Sequence, residues 1–553
     1  MLAAFILHLS VGKIPAPWVD GGRCSGKCCF SVVLGPHMVL QRDTPARVFG
    51  TALPSAEISI SAAGERNYTT TADKEGGWKL DMDAQPASAL GVSIVLSCAQ
   101  QGVPTAFVTM ADVLFGDVIG CHGQSNMQFG LSDDMNATTS CAEAIKYPHI
   151  RTLGANAHQD WALPSNSTVC QPGTGFEEFS AVCWYTGRAL FERLQGEVPI
   201  GLVAAEVGGT PVEAWSGPDA RRHCDQTQVI DRVGTLWTSM IVPLLDMKLS
   251  AQVWYQGENN VASPGGGGCC IIGCPLDPTP PRTPGANGCR ESCPASATKC
   301  ADFYGCQFPA MITDWREKWN GGGSVTIAGR PTGPRPFVFV QLAAYTGPPS
   351  KNNRTGVSDS VALLRAAQTK ALALPNVKMA SAIDWGDFLS PHGCIHPRWK
   401  APVGERAALA IAALAYGANV ASEGPFVASA SATRTSTGYD VHVVFDSHVT
   451  LVPPPQTTAP VVGITPAAAR LQCEPGDQTL CASFMVDGIK VAPAAVAVAS
   501  GVVVLSIAAQ SAPQRVSYLQ ANWAVAVVWG SENPGLPAAP FSSIAIRATG
   551  RAL

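Results

Sequence analysis

A serine hydroxyl becomes a nucleophile only with help, and the stretch Gly123-Gln124-Ser125-Asn126-Met127 is placed to receive it. It follows the apolar run from Val113 to Cys121, which reads as a buried strand. A serine just past a strand and close to a glycine sits where the chain turns sharply toward a helix. That turn presents the hydroxyl and leaves the serine N–H free to donate to an anion. Such a serine still needs a base, a group to orient the base, and further donors for the oxyanion.

The candidate base is His396, in Cys394-Ile395-His396-Pro397-Arg398-Trp399-Lys400. Pro397 pins the backbone after it, and the segment leads into a helix predicted from about Val403 to Tyr416. Histidine titrates near neutrality, so it can take the serine proton and return it to a leaving alkoxide. Two loops offer oxyanion donors. Gly208-Gly209 follows the apolar run from Val198 to Ala205, and Gln256 follows Ala251-Gln252-Val253-Trp254-Tyr255. Ligands of open α/β sheets gather at such strand ends. Cys394 is a weaker nucleophile candidate than Ser125, because it lacks the strand-to-helix turn.

Taken together, these segments resemble the sialate O-acetylesterase family, within the wider SGNH-type serine hydrolases. The likeness is carried, in order, by Met38-Val39-Leu40-Gln41-Arg42, Gly116-Asp117-Val118, the Gly123 to Met127 stretch and Phe179 to Tyr185. It continues through Gly208-Gly209-Thr210-Pro211, Trp254 to Asn259, Asp314-Trp315-Arg316, Ile395-His396-Pro397-Arg398 and Gly535 to Phe541. It covers nearly the whole chain from about residue 30. The resemblance implies an esterase that removes O-acetyl groups from sialic acid through an acyl-serine intermediate. By position, Ser125 would be the nucleophile and His396 the general base and acid. The Ser125 N–H, a backbone N–H of Gly208 or Gly209, and the Gln256 side chain would hold the oxyanion. A serine acyl mechanism needs no metal and no organic cofactor.

The orienting acid is open. Many SGNH-type enzymes place an aspartate three residues before the histidine, and here that position is Gly393. The candidates are Glu258, beside Gln256, and Asp384 and Asp387, upstream of the base, with Glu258 preferred. A backbone carbonyl holding the imidazole, leaving a dyad, is the other option. Arg398 and Lys400 flank the base and are candidates for a sialic carboxylate, with plain surface charge as the alternative reading.

The elements that must position these residues are read from hydrophobic period. After a leader or irregular stretch at 1–29, residues 30–112 alternate short apolar segments with turns, as in an N-terminal β-sandwich-like domain. From 113 to 422, apolar strands alternate with helical stretches at about 179–194, 229–247 and 361–374, with a strand over 336–342. That alternation predicts a parallel sheet covered on both faces, in an α/β class. With the resemblance, the expectation is an SGNH-hydrolase-like three-layer catalytic domain. Residues 263–306 interrupt it with a Gly-, Pro- and Cys-rich insertion, read either as a lid or as a remote loop. From 423 to 553 the chain returns to a C-terminal β-sandwich-like domain. Ser500-Gly501 reads there as a hairpin turn.

The bulk composition excludes some classes. A net charge of -4 offers no basic footprint, so nucleic acid is not expected as a partner. The uncharged stretch from Val491 to Gln514 is broken by Pro493, Ser500-Gly501 and Pro513, so no membrane span is expected. Nineteen cysteines suit an oxidising compartment. Seven of them fall in the 269–306 interval, which reads as disulfide-stapled, with metal a minor alternative. Sequons start at Asn67, Asn136, Asn166 and Asn353, and Leu2 to Leu9 is short and apolar, like a degenerate or truncated signal peptide. The expected location is the secretory pathway, secreted or lysosomal. The expected partner is acetylated sialic acid or another acetylated glycan such as xylan. The rival classes are a non-catalytic glycan-binding protein and a structural surface glycoprotein.

Overall fold

The residues from Val103 to Asp112 vary in exposure, while those from Val113 to Gly123 are buried throughout. Both runs belong to one strand of 21 residues, Val103–Gly123, in the computed structural model of the protein. The structure describes residues 23–62, 66–155, 158–165, 167–170, 176, 178–224, 234–261, 297–322, 326–344, 359–387, 390–452, 482–522, 525–531 and 535–548. The readings made for 1–22, for most of the 263–306 insertion including its lid alternative, and for Asn166 and Asn353 lie outside the described residues.

The first half of the long strand pairs antiparallel with Ser88–Gln100. The second half lies inside a parallel sheet, between Ile200–Glu206 and Ala251–Tyr255. The boundary expected between 112 and 113 therefore falls within one continuous strand. It coincides with a register shift and with Asp112 at φ +55°, the signature of a bulge that re-aims a strand.

The sheet order is His158–Ala162, Ile150–Gly154, Ile200–Glu206, Val103–Gly123, Ala251–Tyr255, Phe337–Gln341, Val377–Ser381. All neighbours are parallel except His158–Ala162, which runs antiparallel at the edge. Strands such as Ile200–Glu206 and Phe337–Gln341 are buried at every position, as sheets covered on both faces require. Ala181–Arg193 and Ala401–Tyr416 pack against each other, as do Ala297–Lys318 and Ser360–Gln368. This is an α/β architecture. The helix predicted over 229–247 is different: its described part is a π turn, Trp237–Ile241, followed by a 3-10 turn, Val242–Leu244. Pro243 has no N–H for an α-helical hydrogen bond and crowds the preceding turn.

Two polar devices explain motifs that carry no chemistry. Asp117 is buried and accepts hydrogen bonds from Gln41 (2.9 Å), Arg42 (3.0 Å) and the Tyr416 hydroxyl (2.5 Å). Gln41 in turn accepts from the Val118 N–H (3.0 Å). The Met38–Arg42 and Gly116–Val118 motifs thus brace one another. Arg365, fully buried, donates to the carbonyls of Leu342, Ala343, Ala521 and Asn522, so the 521–522 segment is tied to the parallel-sheet unit.

Phe30, Val48, Ile58 and Trp78 of the N-terminal strands share one apolar core with Ile119 and Leu202 of the parallel sheet. The C-terminal strands form an eight-stranded sheet whose side chains, among them Val443, Leu505 and Tyr518, build a second core. Ser500 (φ +52°) and Gly501 (φ +75°) turn the hairpin between Val496–Ala499 and Val502–Ile507. The described disulfides are Cys24–Cys29, Cys28–Cys98, Cys121–Cys183, Cys141–Cys170 and Cys224–Cys306. Cys300 is also disulfide-bonded, and Cys394 carries a free thiol.

Candidate active site

Ser125 begins the short helix Ser125–Gln128, directly past the end of the long strand. Gly123 makes the turn possible. Its φ is +146°, and a Cβ there would lie 2.1 Å from the Tyr255 carbonyl oxygen of the neighbouring strand. The Gln124 N–H donates to that same carbonyl at 3.0 Å, which fixes the turn to the sheet. As the first helical residue, Ser125 has no intrahelical acceptor for its N–H.

His396 reaches the serine from a segment 271 residues away in the chain. Its Nε2 lies 2.8 Å from Ser125 Oγ, and its Nδ1 lies 2.8 Å from the carbonyl oxygen of His392. A carbonyl oxygen can only accept, so Nδ1 carries the proton and Nε2 presents its lone pair to the hydroxyl. Gly393, at φ +83°, is what allows this. The left-handed turn at 390–396 brings the His392 carbonyl under the ring that follows it. His396 is buried, and burial pushes its pKa down to about 4. The base is therefore neutral at physiological pH. Phe176 covers it edge-on, with ring centroids 5.2 Å apart.

None of the three expected acids touches the imidazole. Glu258 hydrogen-bonds Asn126, and burial raises its pKa. Asp384 pairs with Arg406 (2.6 and 2.9 Å), and Asp387 pairs with Arg398 (2.6 and 3.2 Å). The preference for Glu258 as the orienting acid is corrected accordingly, because the Nδ1 proton is already given to a backbone carbonyl.

The expected oxyanion donors divide. The Gly208 N–H already donates to Gln128 Oε1 at 2.7 Å. A Cβ on Gly208 would lie 3.3 Å from the Ser125 Cβ, so the loop does flank the nucleophile. Gly209 turns at φ +68° and faces open space. The Gln256 amide nitrogen is buried among protein acceptors: Gln124 Oε1 (3.0 Å), Thr210 O (3.0 Å) and Asn260 Oδ1 (2.8 Å). The expectation of a free Gln256 donor is corrected by that commitment.

The two cations also divide. Lys400 is buried, with Nζ 2.6 Å from Asn126 Oδ1 and 4.6 Å from the centre of the Phe129 ring. Burial pushes its pKa down to about 7, and its Nζ is already committed to Asn126 inside the protein. This corrects its expected place in substrate binding. Arg398 stays partly exposed in its pair with Asp387. Among the described residues, no three His, Cys, Asp or Glu side chains group as metal ligands. None of the described helices is long and apolar enough to cross a membrane. Sequence reasoning missed Phe176 and Gln128, held a backbone carbonyl open as the partner of the imidazole without naming its residue, and gave Asn126 no role although it lies within the serine motif.

The chain is similar in sequence and in fold to known esterases. The model of the family described as carbohydrate esterase, sialic acid-specific acetylesterase matches residues 116–265. Sialate O-acetylesterases of Pongo abelii and Homo sapiens are each 31% identical over 435 residues, covering 72% of this chain and 73% of theirs. The crystal structure of a carbohydrate acetylesterase from Xanthomonas citri superposes with a TM-score of 0.65 at 26% identity, covering 93% of this chain and 99% of that one.

Proposed function

We propose that this chain, which belongs to the sialate O-acetylesterase family, removes O-acetyl groups from sialic acids through an acetyl-serine intermediate. The observation that carries the mechanism is the 2.8 Å contact between Ser125 Oγ and His396 Nε2, with Nδ1 turned to the His392 carbonyl. In this reading Ser125 and His396 act as a dyad. Ser125 Oγ attacks the acetyl carbonyl while His396 Nε2 takes its proton. The negative charge of the tetrahedral intermediate falls to the Ser125 N–H and to the Gly209 N–H, since the Gly208 N–H is given to Gln128. The intermediate collapses, the sugar oxygen leaves, and His396 returns the proton to it. Water then attacks the acetyl-serine, again through His396, and acetate departs. Arg398 is the remaining candidate for the sialic carboxylate.

The finer architecture belongs to the same reading. It comprises an SGNH-hydrolase-like three-layer core over 113–422, flanked by β-sandwich-like regions at 30–112 and 423–553. A secretory route is supported by the disulfides and by exposed sequon asparagines at Asn67 and Asn136. A second reading, another acetylated glycan as substrate, is supported by the Xanthomonas citri neighbour, described simply as a carbohydrate acetylesterase.

The test is acetate release from O-acetylated sialic acid by the wild type and by Ser125→Ala, beside an acetylated neutral glycan. Release from the sialate that vanishes in Ser125→Ala is expected. Release from the neutral glycan alone would move the substrate, and release from neither by folded protein would favour a glycan-binding role.

A further inference from the structure

We propose that Asn126, held between buried Glu258 and Lys400, is a positioning residue that keeps Ser125 and His396 in register. The inference rests on the Ser125–His396 dyad proposed above. Asn126 follows the nucleophile directly and is buried. Its carboxamide has two N–H donors and one carbonyl acceptor, and all are used. One N–H goes to Glu258 Oε1, and the other goes to the carbonyl of Ile395 at 2.8 Å. Its Oδ1 accepts from Lys400 Nζ at 2.6 Å. The Ile395 carbonyl fixes the orientation, because a carbonyl oxygen only accepts and so must face the amide nitrogen.

The three partners come from two segments of the chain. Glu258 lies in the loop past Ala251–Tyr255, Ile395 immediately precedes the base, and Lys400 precedes the helix Ala401–Tyr416. One amide therefore joins the residue after Ser125 to the residue before His396. The charges suit the same purpose. A buried carboxylate or ammonium left alone is costly, and here the two sit at opposite ends of one amide. The Phe129 and Tyr255 rings lie 4.6 and 5.5 Å from Lys400 Nζ and leave the ammonium little freedom. In a triad, a carboxylate fixes the imidazole. In this protein the His392 carbonyl orients the ring, and Asn126 tethers the backbone that bears it.

A merely structural cluster would affect folding and leave the reactivity of folded enzyme unchanged. A positioning unit acts on the reacting pair. The experiment is the rate at which a fluorophosphonate labels Ser125, measured with kcat and KM for p-nitrophenyl acetate. The variants are Asn126→Ala and the isosteric Glu258→Gln, each checked by its melting temperature. For Asn126→Ala, labelling and kcat are expected to fall by about 10²-fold with KM little changed, the size of loss a small misplacement produces. Glu258→Gln, which keeps an acceptor for Asn126 and removes the charge opposite Lys400, is expected to fall in the same way but less. Either variant labelling at the wild-type rate with a wild-type melting temperature would overturn the proposal. A wild type that is not labelled at Ser125 would overturn the dyad, and this inference with it. A wild type that labels but spares the sialate, with Asn126→Ala slowed, would support the positioning role and overturn the substrate instead.

Discussion

The Nδ1 of His396 lies 2.8 Å from the carbonyl oxygen of His392, four residues earlier in the same turn. The imidazole proposed as the base is thus oriented by its own loop rather than by a carboxylate from elsewhere. Asp384 and Asp387 are engaged with arginines, so neither should behave as a triad acid. Asp384→Asn and Asp387→Asn, if folded, are expected to lose less than about tenfold in kcat. Loss of a true triad acid costs on the order of 10⁴-fold. Steady-state kinetics on both variants decide between the two, and a collapse of the larger size would restore the triad.

Burial carries the His396 pKa from 6.5 down to about 4. The base works as the neutral ring, so the acid limb of kcat/KM is expected near pH 4 rather than near pH 6.5. The stability consequence has the same sign. The folded-state value is the lower one, so this group's contribution is complete above pH 6.5 and is lost as pH falls through about 4. A pH–rate profile at saturating and at low substrate checks it, and a limb near the ordinary histidine value would contradict the burial.

Arg398 keeps a partly exposed guanidinium two residues past the base, paired with Asp387. Arg398→Ala is expected to raise KM for an O-acetylated sialate by about tenfold, the size of one charged hydrogen bond. KM for a neutral acetyl ester is expected to stay unchanged. Equal effects on the two substrates would remove Arg398 from carboxylate binding.

Arg365 donates to four carbonyls, two at residues 342–343 and two at 521–522. Arg365→Ala strips those buried oxygens of their donors, and each unsatisfied group costs about 1–3 kcal/mol. A destabilisation of at least about 3 kcal/mol is expected in denaturant unfolding. A change below about 0.5 kcal/mol, typical of surface substitutions, would show that the latch is dispensable.

Cys121 lies two residues before Gly123 and is bridged to Cys183 on the helix Ala181–Arg193, a sequence separation of 62. Closing a loop of that length contributes roughly 4 kcal/mol through the unfolded state. Cys121→Ala with Cys183→Ala is expected to lower the melting temperature markedly. A double variant that melts like the wild type would contradict this.

What the sequence determined by itself is local. Ser125 and His396 are recognisable because side-chain identity, a preceding apolar run and a pinning proline are all written within a few residues. The change from alternating to continuous burial along Val103–Gly123 shows in hydrophobic period, and so does the hairpin at Ser500-Gly501. Tertiary structure alone decided which group meets Nδ1. The group is a backbone carbonyl, which every residue carries and no pattern of side chains marks. It also decided that Lys400 is interior. A lysine ahead of a helix reads as surface charge until Asn126, Phe129 and Tyr255 are folded around it. Likewise, Glu258 looks like a catalytic acid from its place beside Gln256, yet in space it meets Asn126. Partners more than a hundred residues apart are joined by sheet register and helix packing, and no local spacing encodes that choice.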